Sequence, residues 1–519
     1  MQQLIVGLLL CCFFTQSGIF LISKSATFDE VQYFGIGKYL LTEHKWDVMG
    51  AILHPPLPYY LNSIPLLFSN QPQHVWEYDP ATTRDRAFLG SVDYYRGQEL
   101  LSDRSNVNDR LLITSRVVTA LLGVLLGFYI YRFSSLLYGG AAGILSTALY
   151  AFNPIMIAFS GLIVPDMPLT TFGFIALYYT WLDVKSNSIR SAVYSGGFLG
   201  LALLSKFTAV LLLPLVVSTY VICLFKQKRK LFFRIMLVFV LAAGLVVLGY
   251  GFDPAPYIEG ILFQIEKNRT GQAAFLMGHY SDHGWWYFYP VVFLLKTPLA
   301  ITILFASTIV VQVIRKRSVP FEVRFLLAPV ILTVFFFVIW GGAIGIRYLL
   351  PIYPFIFVAI GYLYTEQTFI RRCSYCLALW AVVSAISVAP HYLSYFNELT
   401  GGPSNGYKYL VDSNLDWGQD LPSLKRFMDS NKIDRISLSY FGADSPQRYG
   451  INYDWLPSYY LFNPEPEKAW SIKPGQLVAI SVTNLQGVYL DRSDQFKWLK
   501  EQKPVAQIGH SIFVYDLKQ

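Results

Sequence analysis

"LLITSRVVTALLGVLLGFYIYRFSSLLYGGAAGILSTALYAFNPIMIAFSGLIVPDMPLTTFGFIALYYTWLD", residues 111 to 183, contains only four charged residues: Arg116, Arg132, Asp166 and Asp183. An apolar run of about 18 or more residues is long enough to cross a bilayer as a helix. This stretch holds three such runs, 112–131, 139–158 and 166–183, divided at Gly139–Gly140 and at "SGLIVPD". The same pattern recurs at 4–23, 191–206, 207–225, 232–250, 291–314, 325–342, 345–364 and 373–391. The fold expected is therefore mainly α, a polytopic membrane protein with about eleven transmembrane helices.

Composition agrees. Of 519 residues, 54% are hydrophobic and 14% charged, whereas a soluble domain carries about 25% charged residues. The net charge of +8 does not mark a nucleic-acid binder. Its basic clusters, "KQKRKLFFR" (226–234), "RKRSVPFEVR" (315–324) and Arg371–Arg372, are short and wedged between apolar runs. That is how cytoplasmic loops look under the positive-inside rule. Placing them inside puts the amino terminus in the cytoplasm and residues 24–110, 251–289 and 392–519 outside the cell membrane. "LIVGLLLCCFFTQSGIFLIS" has no basic n-region and no small-x-small cleavage site, so it reads as a spanning helix and not a signal peptide. The five cysteines fall in or beside apolar runs, which argues against a disulfide framework.

Residues 1–391 form the membrane domain on this reading, with outer loops 24–110 and 251–289. Residues 392–519 are a different material. "IDRISLSYFG", "GQLVAISVTNL" and "SIFVYDL" read as short strands between turn residues, and "DLPSLKRFMDSN" as an amphipathic helix. A small α/β extracytoplasmic domain is expected there. No internal repeat is visible.

Ionisable residues at membrane depth are costly, by about 2.5–3.5 kcal/mol each on insertion scales, and are usually paired or functional. Under this topology Asp29, Glu30, His54, Asp166, Lys206, Lys296 and Arg347 collect at one membrane face. Each has a plain alternative: a lysine can snorkel, and Asp166 can serve a helix start. Their convergence from separate segments is what favours a site. A phosphate at the membrane surface needs Lys or Arg beside it. A carboxylate can take the proton of an incoming hydroxyl, and an acid pair can hold a divalent metal. The stretch "VQYFGIGKYLL" after Asp29 and Glu30 has the apolar content of an interfacial helix lying on the membrane. Successive helix residues point about 100° apart, so Asp29 is expected over a cavity and Glu30 toward a neighbour.

Together "FDE" (28–30), "HPPLPYYLNSIPLLF" (54–68), "VPDMPLTTF" (164–172), "SKFTAVLLLPL" (205–215), "GHYSDHGWWYFYPVVFLLKTPL" (278–299) and "RYLLPIYPF" (347–355) resemble the C-type glycosyltransferases. The likeness is to bacterial proteins such as the protein O-mannosyltransferases and the aminoarabinose lipid A transferases. It implies an inverting transfer of a sugar from a polyprenyl-phosphate donor to a glycan, lipid or protein acceptor on the outer face of the membrane. It also implies catalytic roles for Asp29, Asp166 and Glu30, with Asp29 the base or a metal-bound acid. Asp29 and Asp166 would be the ligands of a metal, if one is used. Substrate contacts map onto Lys206 and Arg347, then Lys296, with His54 and His279 from the aromatic-rich stretches. Leu53 and His54 stand where the aminoarabinose transferases carry Glu-Lys. The alternative is a transporter or flippase of lipid-linked sugars, which would place its charges near the midplane and show repeated halves. A third reading is a scaffold whose outer domain binds partners.

Overall fold

The structure is a computed structural model. It describes all residues except 45, 47–51, 69–91, 104–105, 225–227, 315–320, 341, 460–471, 473–474 and 518–519. Parts of the basic clusters 226–234 and 315–324 thus lie outside the described residues. Among those described, six helices are long and apolar enough to cross a membrane: Gln2–Ser23, Arg110–Tyr138, Phe232–Gly249, Phe321–Trp340, Ile346–Thr365 and Thr368–Ser387. Two bent pairs raise the number to eight. Asp166–Ser186, Ile189–Leu203 and Phe207–Leu224 are helical where expected but are not among those eight, so length and hydropathy do not establish eleven crossings.

The bends have local causes. Gly140–Ala151 gives way to Pro154–Ser160 at 66°, where Pro154 takes the first helical position and the Asn153 side chain accepts from the Met156 N–H. Phe288–Lys296 turns by 114° into Leu299–Ile314. Thr297, forced extended by the following proline (ψ 134°), makes that corner. Between Leu203 and Phe207 the chain opens at Lys206, which is extended (φ −157°, ψ 142°).

The outer segment 24–110 contains the helix Phe28–Glu43, where one was expected, and two more, Leu57–Ser63 and Val92–Ser102, that were not. Residues 30 to 37 of the first are buried within the protein. Its "FGIGK" allows this. A Cβ on Gly35 would meet the Asp93 carbonyl oxygen at 2.2 Å, and one on Gly97 the Val31 carbonyl oxygen at 1.8 Å. Only glycines let the two backbones cross so closely.

In the tail, five short strands form one sheet. In chain order they are β1 (Ile436–Ser439), β2 (Tyr453–Trp455), β3 (Val478–Ser481), β4 (Ala506–Ile508) and β5 (Ile512–Tyr515). Their spatial order is β2-β1-β3-β5-β4, parallel across the first three and antiparallel thereafter. The amphipathic helix Leu421–Ser430 covers one face, packing Leu421, Leu424 and Met428 against Ile436, Leu438, Ile512 and Val514. The other face, with Val478, Ile480 and Phe513, joins the same apolar core as the membrane helices. Backbone bonds add to this: Ser25 N–H to Gln419 O at 3.0 Å and Phe28 N–H to Trp417 O at 2.9 Å.

Candidate active site

Asp29 stands in the first turn of Phe28–Glu43, where a helix favours a negative charge. Arg347 lies in the tight segment Ile346–Ile352. The Arg347 guanidinium donates from Nη1 to Asp29 Oδ2 at 2.7 Å, and the Tyr33 hydroxyl reaches the same oxygen at 3.5 Å. The guanidinium also lies 4.6 Å from the Trp417 ring centre. Its Nε is buried with no hydrogen-bond partner.

Glu30 faces the other way, as successive helix positions require. It accepts from Arg116 Nε (2.8 Å) and Nη2 (2.6 Å), from the Ile163 N–H (2.8 Å) and from the Thr27 N–H (2.8 Å). Arg116 in turn donates to the carbonyls of Leu21, Lys24 and Ser25. Both side chains are fully buried. Glu30, expected among the catalytic residues, is thus a clamp that fixes where the helix of Asp29 begins.

A second ion pair stands near the first. Lys206 Nζ donates to Asp166 Oδ1 at 2.7 Å and sits 3.9 Å from the centre of the Tyr348 ring. The break in the helix at 204–206 aims this lysine, and Asp166 follows Pro165 at the start of its helix. Asp166 Oδ2 is buried without a partner. Lys206 lines a cavity whereas Asp166 lies behind it, so the carboxylate holds the lysine in place.

Two adjoining cavities meet at these pairs. The first, about 500 Å³, has Lys206 on its wall together with apolar residues from Phe207, Ile261, Phe336, Phe337, Ile339 and Trp340. The second, about 450 Å³, carries Asp29, Gln32, Arg347 and Asp412. His54, Lys267 and Tyr348 border both. Burial, with Lys206, Arg347 and Lys267 nearby, pushes the His54 imidazole well below its usual pKa, so the ring is neutral. Its Nδ1 is also buried without a partner. Burial lowers the Lys267 ammonium too.

Not every expected residue joins them. Lys296 donates to the carbonyls of Leu393 (2.9 Å), Tyr395 (2.5 Å) and Asn414 (2.5 Å) and lines neither cavity. It caps the corner before Pro298 and ties it to the tail. His279 lies exposed in the hairpin Ala274–Ser281, and it is Asp282 and His283 that reach the first cavity. Among the described residues no group of three or more His, Cys, Asp or Glu is arranged to hold a metal. Asp29 is paired with Arg347 through Oδ2 and Asp166 with Lys206 through Oδ1. Sequence reasoning missed Lys267, hidden inside the ordinary-looking "EKNRT", and Asp412, which has neither a motif nor a helix start to mark it.

The family model for dolichyl-phosphate-mannose-protein mannosyltransferases matches residues 109–249. No curated protein matches the chain in sequence. Among solved structures, ArnT from Cupriavidus metallidurans bound to undecaprenyl phosphate is 12% identical, with a TM-score of 0.51 over 98% of this chain and 97% of that one. ArnT in the apo state gives 13% identity and a TM-score of 0.47, covering 98% and 96%. The protein O-mannosyltransferase Pmt1-Pmt2 complex of S. cerevisiae bound to the sugar donor gives 15% and 0.32, covering 55% and 42%. The likeness to undecaprenyl-phosphate-bound ArnT is one of fold and runs nearly end to end: the chain resembles the C-type glycosyltransferases.

Proposed function

We propose that the chain is an inverting glycosyltransferase that moves a sugar from a polyprenyl-phosphate donor to an acceptor hydroxyl at the outer face of the membrane. One observation carries this: two ion pairs, Asp29–Arg347 and Asp166–Lys206, stand where an apolar-walled cavity joins a polar one. The apolar walls suit a prenyl chain. Lys206, Arg347 and Lys267, with the neutral His54, suit its phosphate, and the unpartnered Arg347 Nε and His54 Nδ1 are polar atoms such a group would satisfy.

In the reaction the acceptor oxygen forms a bond to the anomeric carbon as the carbon–oxygen bond to the phosphate breaks. The bonding pair leaves with the phosphate oxygen, where Lys206 and Arg347 offset the added charge. Asp29 takes the acceptor proton on the carboxylate oxygen not held by Arg347. Attack from the face opposite the phosphate inverts the anomeric carbon. Asp166 acts by holding Lys206.

One helix supports the sidedness proposed. Asp166–Ser186 has 21 residues, which at about 1.5 Å each is about 30 Å, the thickness of a bilayer's hydrocarbon core. Its far end carries Lys185, paired with Glu322 at 2.5 Å, and Asp183, paired with Arg234 at 3.0 Å. Basic residues at that end support a cytoplasmic amino terminus, with the site and residues 392–519 outside. The membrane unit 1–391 and the tail unit 392–519 are proposed on the same footing.

The test is turnover by purified protein in nanodiscs, supplied with a panel of undecaprenyl-phosphate sugars and an envelope extract as acceptor. Mass spectrometry would read the release of undecaprenyl phosphate with glycosylated product. Asp29→Asn should abolish product while the protein stays folded; sugar crossing proteoliposome membranes with no acceptor would favour a flippase instead.

A further inference from the structure

The two cavities are built from different parts of the chain. No wall residue of the first lies beyond Tyr348, whereas the second includes Asp412, Trp417, Phe441, Tyr459 and Tyr489 from the tail. Three of these rings cluster with Phe28 along one side of the cavity. Phe441 stacks on Phe28 (centroids 5.4 Å, planes 17° apart) and on Tyr489 (5.7 Å, 11°). Tyr459 lies 4.9 Å from Tyr489 and stacks on Phe28 at 5.8 Å.

Beside these rings stands Asp412. Its Oδ2 accepts from the Tyr489 hydroxyl at 2.6 Å and its Oδ1 from the Ser413 N–H at 2.6 Å. An ionised carboxylate offers roughly four acceptor positions, so about two are left for donors in the cavity. Gln32 adds an amide on the same lining.

A cluster of aromatic rings next to a carboxylate and an amide matches a ring with C–H bonds to pack on the aromatics and hydroxyl donors at its edge. A pyranose is such a ring. A phosphate beside Asp412 would meet two carboxylates, Asp29 and Asp412, whereas where the two cavities adjoin it meets Lys206, Lys267 and Arg347. A prenyl chain would leave both carboxylates without donors.

We infer that the second cavity is the acceptor subsite and takes a neutral pyranose of a glycan or glycolipid, held by Asp412 and the Phe441–Tyr459–Tyr489 cluster. This rests on the glycosyl-transfer reading above and adds the acceptor's chemical class. Acceptor choice is then written in residues 412–489, and the donor phosphate is read by the membrane helices.

A pyranose could also belong to the donor, and the experiment separates the two. Full-length protein in nanodiscs is first saturated with undecaprenyl phosphate. Saturation-transfer NMR then reads binding of two probes, methyl β-glucopyranoside and cellobiose. Binding that persists with the lipid bound, and weakens about tenfold or more in Asp412→Asn and in Tyr459→Ala, is the expected result. Tyr459 is 40% exposed, so its truncation leaves the core intact. Displacement of the sugars by undecaprenyl phosphate, or equal binding by both variants, overturns the inference, as does binding of a Ser/Thr-rich peptide in place of either sugar. Undecaprenyl-phosphate affinity, measured separately in Lys206→Ala, tests the donor reading by itself: an unchanged value there would undercut glycosyl transfer while leaving the sugar result to stand or fall alone.

Discussion

Asp29 and Arg347 meet at 2.7 Å although 318 positions separate them, and the guanidinium is held from its other side by the Trp417 ring at 4.6 Å. Three distant segments therefore set one carboxylate. A hydrogen bond to a charged group contributes about 1.5–3 kcal/mol, so Arg347→Ala should weaken undecaprenyl-phosphate binding about 10- to 100-fold. Arg347→Lys should recover only part of it, since a lysine cannot reproduce a planar two-point contact. Isothermal titration in nanodiscs measures both, and full recovery by lysine would refute a geometric role.

Asp166 acts through Lys206. Asp166→Asn should reduce turnover less than Lys206→Ala, and the double variant should resemble Lys206→Ala alone. Residues in contact show coupling of about 0.5–3 kcal/mol. Additive losses in turnover would mean that Asp166 has a task of its own at the reacting atoms.

Glu30 is a matter of stability. Removing one member of a buried ion pair costs about 3–5 kcal/mol, because the other is left charged and unpaired. Glu30→Ala should lower the unfolding temperature sharply, and Glu30→Ala with Arg116→Met should recover part of the loss. A stable but inactive Glu30→Ala protein would return Glu30 to the chemistry.

The tail should weaken as pH rises from acid to neutral. Burial pushes Asp416 up to about 7, above an unfolded value of about 3.9. A carboxyl raised on folding binds more protons folded than unfolded, so its contribution is lost as pH rises from about 4 to about 7. The unfolding temperature should fall over that window, and Asp416→Asn should flatten the slope whatever its effect on the absolute value. A slope unchanged in Asp416→Asn would assign it elsewhere.

Gly97 touches no substrate on this reading, yet Gly97→Ala should cost activity. Its Cβ would sit 1.8 Å from the Val31 carbonyl oxygen, pushing the helix of Asp29 out of register with Arg347. Wild-type turnover in Gly97→Ala would show that the crossing has slack.

The helices were legible because apolar run length is a local property. Asp29, Asp166, Lys206 and Arg347 stood out because charges are rare among such runs. Glu30 and Lys296 were equally rare and equally apolar in setting, but burial beside Arg116 and beside three carbonyls gives them structural work. Only long-range contacts distinguish the two kinds of charge. Of the helices inside 24–110 only the one at "VQYFGIGKYLL" was expected; Val92–Ser102 packs on it through Gly35 and Gly97 and has no hydropathy of a span to mark it. Asp412 was invisible because a single acid in a loop carries no periodicity.

The backbone bonds joining Ser25 and Phe28 to Gln419 and Trp417 bear on biogenesis. Ribosome and translocon deliver Asp29 early, but the ring that steadies its arginine arrives only after four-fifths of the chain has been made. A polypeptide stalled or clipped before that point would carry the membrane helices without the Trp417 ring beside Arg347.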